Sequence, residues 1–150
     1  MVGPDSEGVT MRILAAVDGS AHTKRMLAYI AAHDEWLGPQ HDYTIVHAVN
    51  ALPQRAAVVL DRALVDTYYD DECERVFKPI RAFVTKQGLR ARFVGKVGAA
   101  AEIIVALAAR GRYDLIAMGS HGHSNLSGLV LGSATSKVLA RARVPVLVIR

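Results

Sequence analysis

The chain alternates short apolar runs with longer stretches of helical period. Arg12-Ile13-Leu14-Ala15-Ala16-Val17-Asp18 is almost continuously apolar and ends in Asp-Gly-Ser, which predicts a strand buried on both faces, as parallel strands are. Ser20 can cap the helix that follows, where Met26, Leu27, Ile30, Ala31 and Leu37 recur at helical spacing until Gly38-Pro39 stops it. Tyr43 to Val49 reads as the second strand. Residues 51–58 contain Pro53 and follow no clear period, which predicts a loop. From about Leu60 to Gln87 the pattern is helical again, with Pro79 predicting a kink or a new segment and Gly88 an end.

Ala91 to Val97 alternates apolar and polar positions, the mark of a half-exposed strand near a sheet edge. A helix over Ala101–Ala109, a strand over Asp114–Gly119, a helix from about Ser133 to Arg141 and a last strand over Val144–Ile149 complete the series. Pro145 fits only at the start of that strand or on an edge. Strands alternating with helices imply right-handed crossovers and a five-stranded parallel sheet covered on both faces, an α/β fold of three layers, α/β/α. Ligands of such sheets bind outside the carboxyl ends of the strands, where the strand order reverses. Asp18, Ala48 and Gly119 lie at or near those ends.

Composition narrows the classes. At 150 residues the chain reads as one domain over 11–150, preceded by a flexible leader over 1–10. It has no run of about 18 apolar residues, and its opening lacks the basic start and apolar centre of a secretory signal, so no membrane partner is expected. The only cysteine, Cys73, excludes an internal disulfide framework and suits a reducing, cytoplasmic compartment. Its neighbours in Asp70-Asp71-Glu72-Cys73-Glu74 should raise the thiol pKa. The net charge of +4 comes from scattered basic residues, and aromatics are 6% of the chain, which points to a solvated surface and not to nucleic acid.

The chemistry gathers in Gly119-Ser120-His121-Gly122-His123-Ser124-Asn125-Leu126-Ser127-Gly128-Leu129-Val130-Leu131-Gly132-Ser133, between a buried strand and a helix start. Glycines let backbone N–H groups turn inward and let a phosphate approach, and the helix N-terminus favours an anion. Ser120, Ser124 and Ser133 add hydroxyl donors. A side chain at Gly122 or Gly132 should therefore fill phosphate space and leave the fold standing. The same composition also suits a surface loop with turn glycines and an N-cap serine. Neither G-x-x-x-x-G-K-[S/T] nor the dinucleotide fingerprint is present.

Gly119, Gly122 and Gly132-Ser133 reproduce the pattern G-x2-G-x9-G-[S/T], and with Ile13 to Ser20, Val46 to Val49, Asp114 to Gly122 and Val144 to Arg150 the chain resembles the ATP-binding universal stress proteins over about residues 11–150. The resemblance implies a Rossmann-like, adenine nucleotide alpha-hydrolase-like fold and an adenine nucleotide (ATP, ADP or AMP), with Mg2+ as an accompanying ion. It implies that Ala16 and Asp18 line the adenine and ribose side and that the backbone of Ala48 meets the adenine edge. Gly119, Ser120, His121, Gly122, His123, Ser124 and Asn125 would wrap the ribose and phosphates, and Gly132, Ser133, Ala134 and Thr135 the phosphates. It further implies a stress-response or signalling module that dimerises through the last strand, an apolar run that would otherwise leave an open sheet edge. One departure is Gly98-Ala99-Ala100-Ala101-Glu102, which has Ala100 where the family's G-x-P-A-E turn has proline. Another is Ala134 in place of the commoner valine.

Several residues have bland readings beside sharp ones. His121 and His123 lack a third metal ligand in sequence, and a place beside the phosphates suits them better. His47 reads as a satisfied core histidine, Trp36 as packing and Lys137 as solvated. Asp18 can hold Mg2+ through water, bond the nucleotide, or cap the first helical turn. No carboxylate lies between Gly119 and Arg150, so the loop carries no general base and slow hydrolysis is the most the sequence supports. The alternatives are a slow ATPase or nucleotidyl-transfer relative, and an interaction protein that binds no nucleotide.

Overall fold

A computed structural model describes residues 8–122 and 131–150. Five strands, β1 (Arg12–Ala16), β2 (Asp42–Val49), β3 (Arg90–Val97), β4 (Leu115–Gly119) and β5 (Val146–Ile149), form one sheet in the order β3-β2-β1-β4-β5. Every neighbouring pair is parallel, with Leu14 of β1 between Thr44 of β2 and Ile116 of β4. The chain builds outward from β1 through β2 to β3, then returns to the other side for β4 and β5. The order therefore reverses between β1 and β4; the parallel sheet is the one that the alternation of elements implied.

The period of two along β1 divides its side chains between two cores. Ile13 and Ala15 pack with Met26 and Ile30 of α1 (Ala21–Ala32) and with Val76, Phe77 and Ile80 of α4 (Arg62–Gln87). Leu14 packs on the opposite face with Ile104 of α5 (Ala100–Arg110), Ile116, and Val138 of α6 (Ser133–Arg141). The strands at the edges, β3 and β5, are the ones read as half-exposed or proline-led, and Pro145 directly precedes β5.

Three helical expectations change. The single helix expected up to Leu37 divides into α1 and a one-turn α2 (Asp34–Leu37). At the break, the His33 Nδ1 donates to the Tyr29 carbonyl, while the His33 backbone N–H goes to Ile30. The imidazole thus takes the acceptor that the helical N–H would have used, and the ring stacks on Tyr29. The expected loop over 51–58 contains α3 (Gln54–Val59), started by Pro53. α3 buries none of its residues, which is why no apolar period marks it. Pro79 sits exposed inside an unbroken α4, and Gly88 ends that helix in the left-handed region with φ 67°. No helix among the described residues is long and apolar enough to cross a membrane.

Tyr43 is 2% exposed and its hydroxyl donates to the Leu37 carbonyl. Burial pushes its pKa far above the usual tyrosine value. A phenol held neutral in the fold adds stability below its unfolded pKa of about 10 and loses it as pH rises beyond that value. Tyr43→Phe should therefore cost about 1 kcal/mol at pH 7, where the Leu37 carbonyl loses its donor. The gap should narrow above about pH 10. Urea denaturation at both pH values measures this, and a gap that widens contradicts it. Cys73 is also pushed up, first by burial and then by Asp70, Glu74 and Glu72, in the direction its sequence neighbours implied.

Candidate functional site

Two strand ends and two helix starts meet where the sheet order reverses. Past β1, the Asp18 Oδ1 accepts from the Ser20 backbone N–H and from the Thr23 hydroxyl, both at 2.9 Å. The Asp18 N–H in turn donates to Thr23 Oγ1 at 3.0 Å. Gly19 turns the chain with φ 79°, and Ser20 caps α1 as expected. Of the roles considered for Asp18, these contacts are the capping ones. His47 is buried behind the turn, and its Nδ1 donates to the Val17 carbonyl at 2.8 Å.

At the end of β4 the backbone approaches are close. A Cβ on Gly119 would lie 2.7 Å from the Cβ of His22 and 3.1 Å from its carbonyl oxygen. A Cβ on Gly132 would lie 3.1 Å from the Cα of His121 and 3.4 Å from the Ser120 carbonyl, to which the Gly132 N–H donates at 2.7 Å. These two glycines let α1 and the start of α6 pack against β4 and the residues just after it. The space they leave is occupied by the protein itself. Gly122 differs: its nearest neighbour would be the Asp18 carboxylate, with Oδ2 at 2.7 Å.

Ala16, Asp18, Gly119, His121 and Gly122 face one cleft, with Ala134 and Thr135 of α6 closing it. Thr135 is buried and donates to the Gly119 carbonyl at 2.9 Å, fixing the start of α6 against β4. Gly132 precedes α6 in extended conformation and has no side chain to cap it, so among the described residues the first-turn N–H groups have no side-chain cap. Ser120 and Gly132 are buried behind the cleft wall, Ser133 is exposed at the helix start, and Ala48 is half-buried on β2 outside the lining. His123, Ser124 and Asn125 lie outside the described residues.

The sequence reading missed Val17, Thr23, Met118, Ala100 and Ile104 as lining residues. Thr23 had a signal, lying five residues after a strand-end aspartate on the first turn of a helix; the others read only as core. Asp18 and His121 are the titratable side chains in the lining. Among the described residues no three His, Cys, Asp or Glu side chains are grouped to hold a metal ion.

Ala100 is the first residue of α5, and Ala99 before it is extended, with φ −70° and ψ 124° and no side-chain cap. Both positions accept proline geometry, at 100 itself and at the residue preceding it. Ala100→Pro should stabilise the fold by about 0.4–1 kcal/mol through the unfolded chain. For a chain of this size that is a rise in Tm of about 1–4 °C, readable by calorimetry; a fall would mean that the ring collides with the cleft wall.

Residues 10–150 match the model of the universal stress protein family. A universal stress protein of Synechocystis is 31% identical over 151 residues, taking in 100% of this chain and 46% of its own length, so this chain spans about half of that relative. One of Thermus aquaticus is 32% identical over 139 residues, 92% of this chain and 97% of the relative. The solved structure of a universal stress protein of Methanocaldococcus jannaschii superposes with a TM-score of 0.79 at 24% identity, covering 93% of this chain and 94% of that one. Two further structures of the same fold, each 18% identical, are universal stress proteins in complex with cAMP (TM-score 0.61, 93% and 96% of the two chains) and, from Archaeoglobus fulgidus, with dAMP (0.64, 95% and 99%). The family match over nearly the whole chain and the parallel sheet in the order β3-β2-β1-β4-β5 agree, and the chain belongs to the universal stress protein family.

Proposed function

We propose that the cleft between the carboxyl ends of β1 and β4 binds an adenine nucleotide (ATP, ADP or AMP), and that the protein acts as a nucleotide-dependent stress-response or signalling module. The observation that carries this reading is the start of α6, which has no side-chain cap among the described residues and is held by Thr135 against the end of β4 at the point where the strand order reverses. Phosphates placed there would meet the first-turn N–H groups of Ser133, Ala134 and Thr135, with Gly119, His121 and Gly122 lining the cleft beside them; we assign Ser120, Gly132, His123, Ser124 and Asn125 to the same site from the family pattern alone. Ala16 and Asp18 border the ribose and adenine, and the Ala48 backbone the adenine edge. The neighbours solved with cAMP and dAMP support this choice of ligand class.

Among the described residues lining the cleft Asp18 is the carboxylate, and Mg2+ is commonly held by one carboxylate, waters and substrate phosphates. Its Oδ1 is already engaged by Ser20 and Thr23, leaving it a poor general base and hydrolysis slow. We place the protein in the cytoplasm and pair two copies through β5, whose edge is open in a single chain.

Calorimetric titration with Mg-ATP, after checking that no nucleotide co-purifies, tests the proposal. Saturable binding near one per chain is expected. Absence of binding by folded, nucleotide-free protein overturns it and favours an interaction protein. Rapid turnover that is lost in Asp18→Ala would instead favour an enzyme.

A further inference from the structure

His22 is the second residue of α1 and belongs to none of the motifs that mark the site. It stands closest to Gly119, whose missing Cβ admits its side chain. Its ring lies against that of His121, with centroids 5.1 Å apart and planes inclined at 42°. Its Nδ1 is buried and has no hydrogen-bond partner among the described residues. A buried polar atom left unpaired destabilises a fold, and an apolar side chain of similar size would occupy the place without that cost. Unsatisfied groups of this kind call for an explanation other than packing, and functional sites are where local rules are broken.

His121 supplies the explanation. Among the described residues lining the cleft it is the one side chain with nitrogen donors, while Asp18 opposes a phosphate. Its value to an anion depends on where the ring points. One side of that orientation is set by Ser120, whose Oγ lies 3.1 Å from the His121 Nδ1. The ring of His22 lies against this imidazole as well. We infer that His22 is a positioning residue: it holds the His121 imidazole toward the phosphate chain, so that the site favours a nucleotide over a nucleoside, and it does so at the expense of stability. The inference rests on the nucleotide reading proposed above and adds to it the residue that makes the site read phosphate.

The test compares wild type, His22→Leu, His22→Phe and His121→Ala by thermal unfolding without ligand and by calorimetric affinity for ATP and for adenosine. His22→Leu should unfold at the same or a higher temperature, bind ATP about tenfold more weakly, as expected when a hydrogen bond to a charged group is lost, and bind adenosine unchanged. His22→Phe, which keeps a flat ring against His121, should recover most of the ATP affinity. His121→Ala should show the same loss, and adding His22→Leu to it should cost nothing further. If wild type binds ATP but the ATP-to-adenosine ratio is unchanged in His22→Leu, the positioning role is overturned and the nucleotide reading stands. A clear drop in the unfolding temperature of His22→Leu also overturns it, because His22 would then be serving the fold. Wild type that binds neither ligand overturns both.

Discussion

Gly119→Ala should destabilise this protein by about 1–3 kcal/mol, the usual cost of forcing a methyl into a packed site, while Gly122→Val should cost the fold less, by displacing the Asp18 carboxylate, and weaken ATP at least tenfold. The two glycines belong to one sequence pattern, yet they face different neighbours. At 119 the new Cβ meets the Cβ and backbone of His22 on a helix already locked by Ser20 and Thr23, so neither side can give way. At 122 it meets the end of a single side chain, the Asp18 carboxylate, on the surface of the cleft. For a domain of this length the Gly119 cost corresponds to about 2–12 °C in Tm. Thermal unfolding and calorimetric titration on both variants measure the contrast. Equal losses of stability with unaltered ATP affinity would reduce the whole glycine pattern to a packing requirement.

Gly132 shows why the sequence alone misjudges such positions. The spacing G-x2-G-x9-G-[S/T] falls between the end of β4 and the start of α6, and it predicts that a side chain at Gly132 fills phosphate space and spares the fold. The nearest atoms are instead the backbone of Ser120 and His121, so Gly132→Val belongs with Gly119 as a packing defect. A glycine records only that something comes close. Whether that something is the protein or a ligand is decided by segments that the pattern does not contain. His22 is the extreme case, placed against Gly119 by an element roughly a hundred residues away in sequence.

What was legible follows from which contacts are local or periodic. The five strands were readable because each is buried enough to be continuously apolar, or half-exposed and alternating. The end of α4 was readable because Gly88 marks a left-handed cap within one residue. α3 was not, since a helix that buries nothing leaves no apolar stripe. The break at His33 was not either, because it depends on a side chain displacing a backbone donor, a choice that hydrophobic period does not encode. At the site, Asp18 and Gly119 could be placed from strand ends, and Thr135 only from the family resemblance. Met118 and Ile104 could not, as a residue that walls a cleft and one that fills a core look alike in sequence.

Ile116→Ala should bring the largest loss of stability, about 2–5 kcal/mol or about 4–20 °C in Tm. Ile116 is fully buried on β4, flanked by Leu14 of β1 and Val146 of β5, and packs with Ile104 and Val138 of the covering helices. Neighbours on strands and helices alike are held by their own packing, so the cavity cannot close. The same side of β4 carries Met118 two residues on, and Met118 forms part of the cleft wall. This makes the variant a probe of how far the site depends on the core beneath it. ATP at about 100 times its Kd should stabilise the wild type by about 2.7 kcal/mol through binding to the folded state alone. If Thr135, Gly119 and the α6 start define the site, Ile116→Ala should gain nearly the same increment at the same multiple of the wild-type Kd, despite its lower starting Tm. An increment that shrinks by half or more would mean that Met118 shifts into the cavity and carries the cleft wall with it, so that affinity is set by the depth of the sheet as well as by its ends.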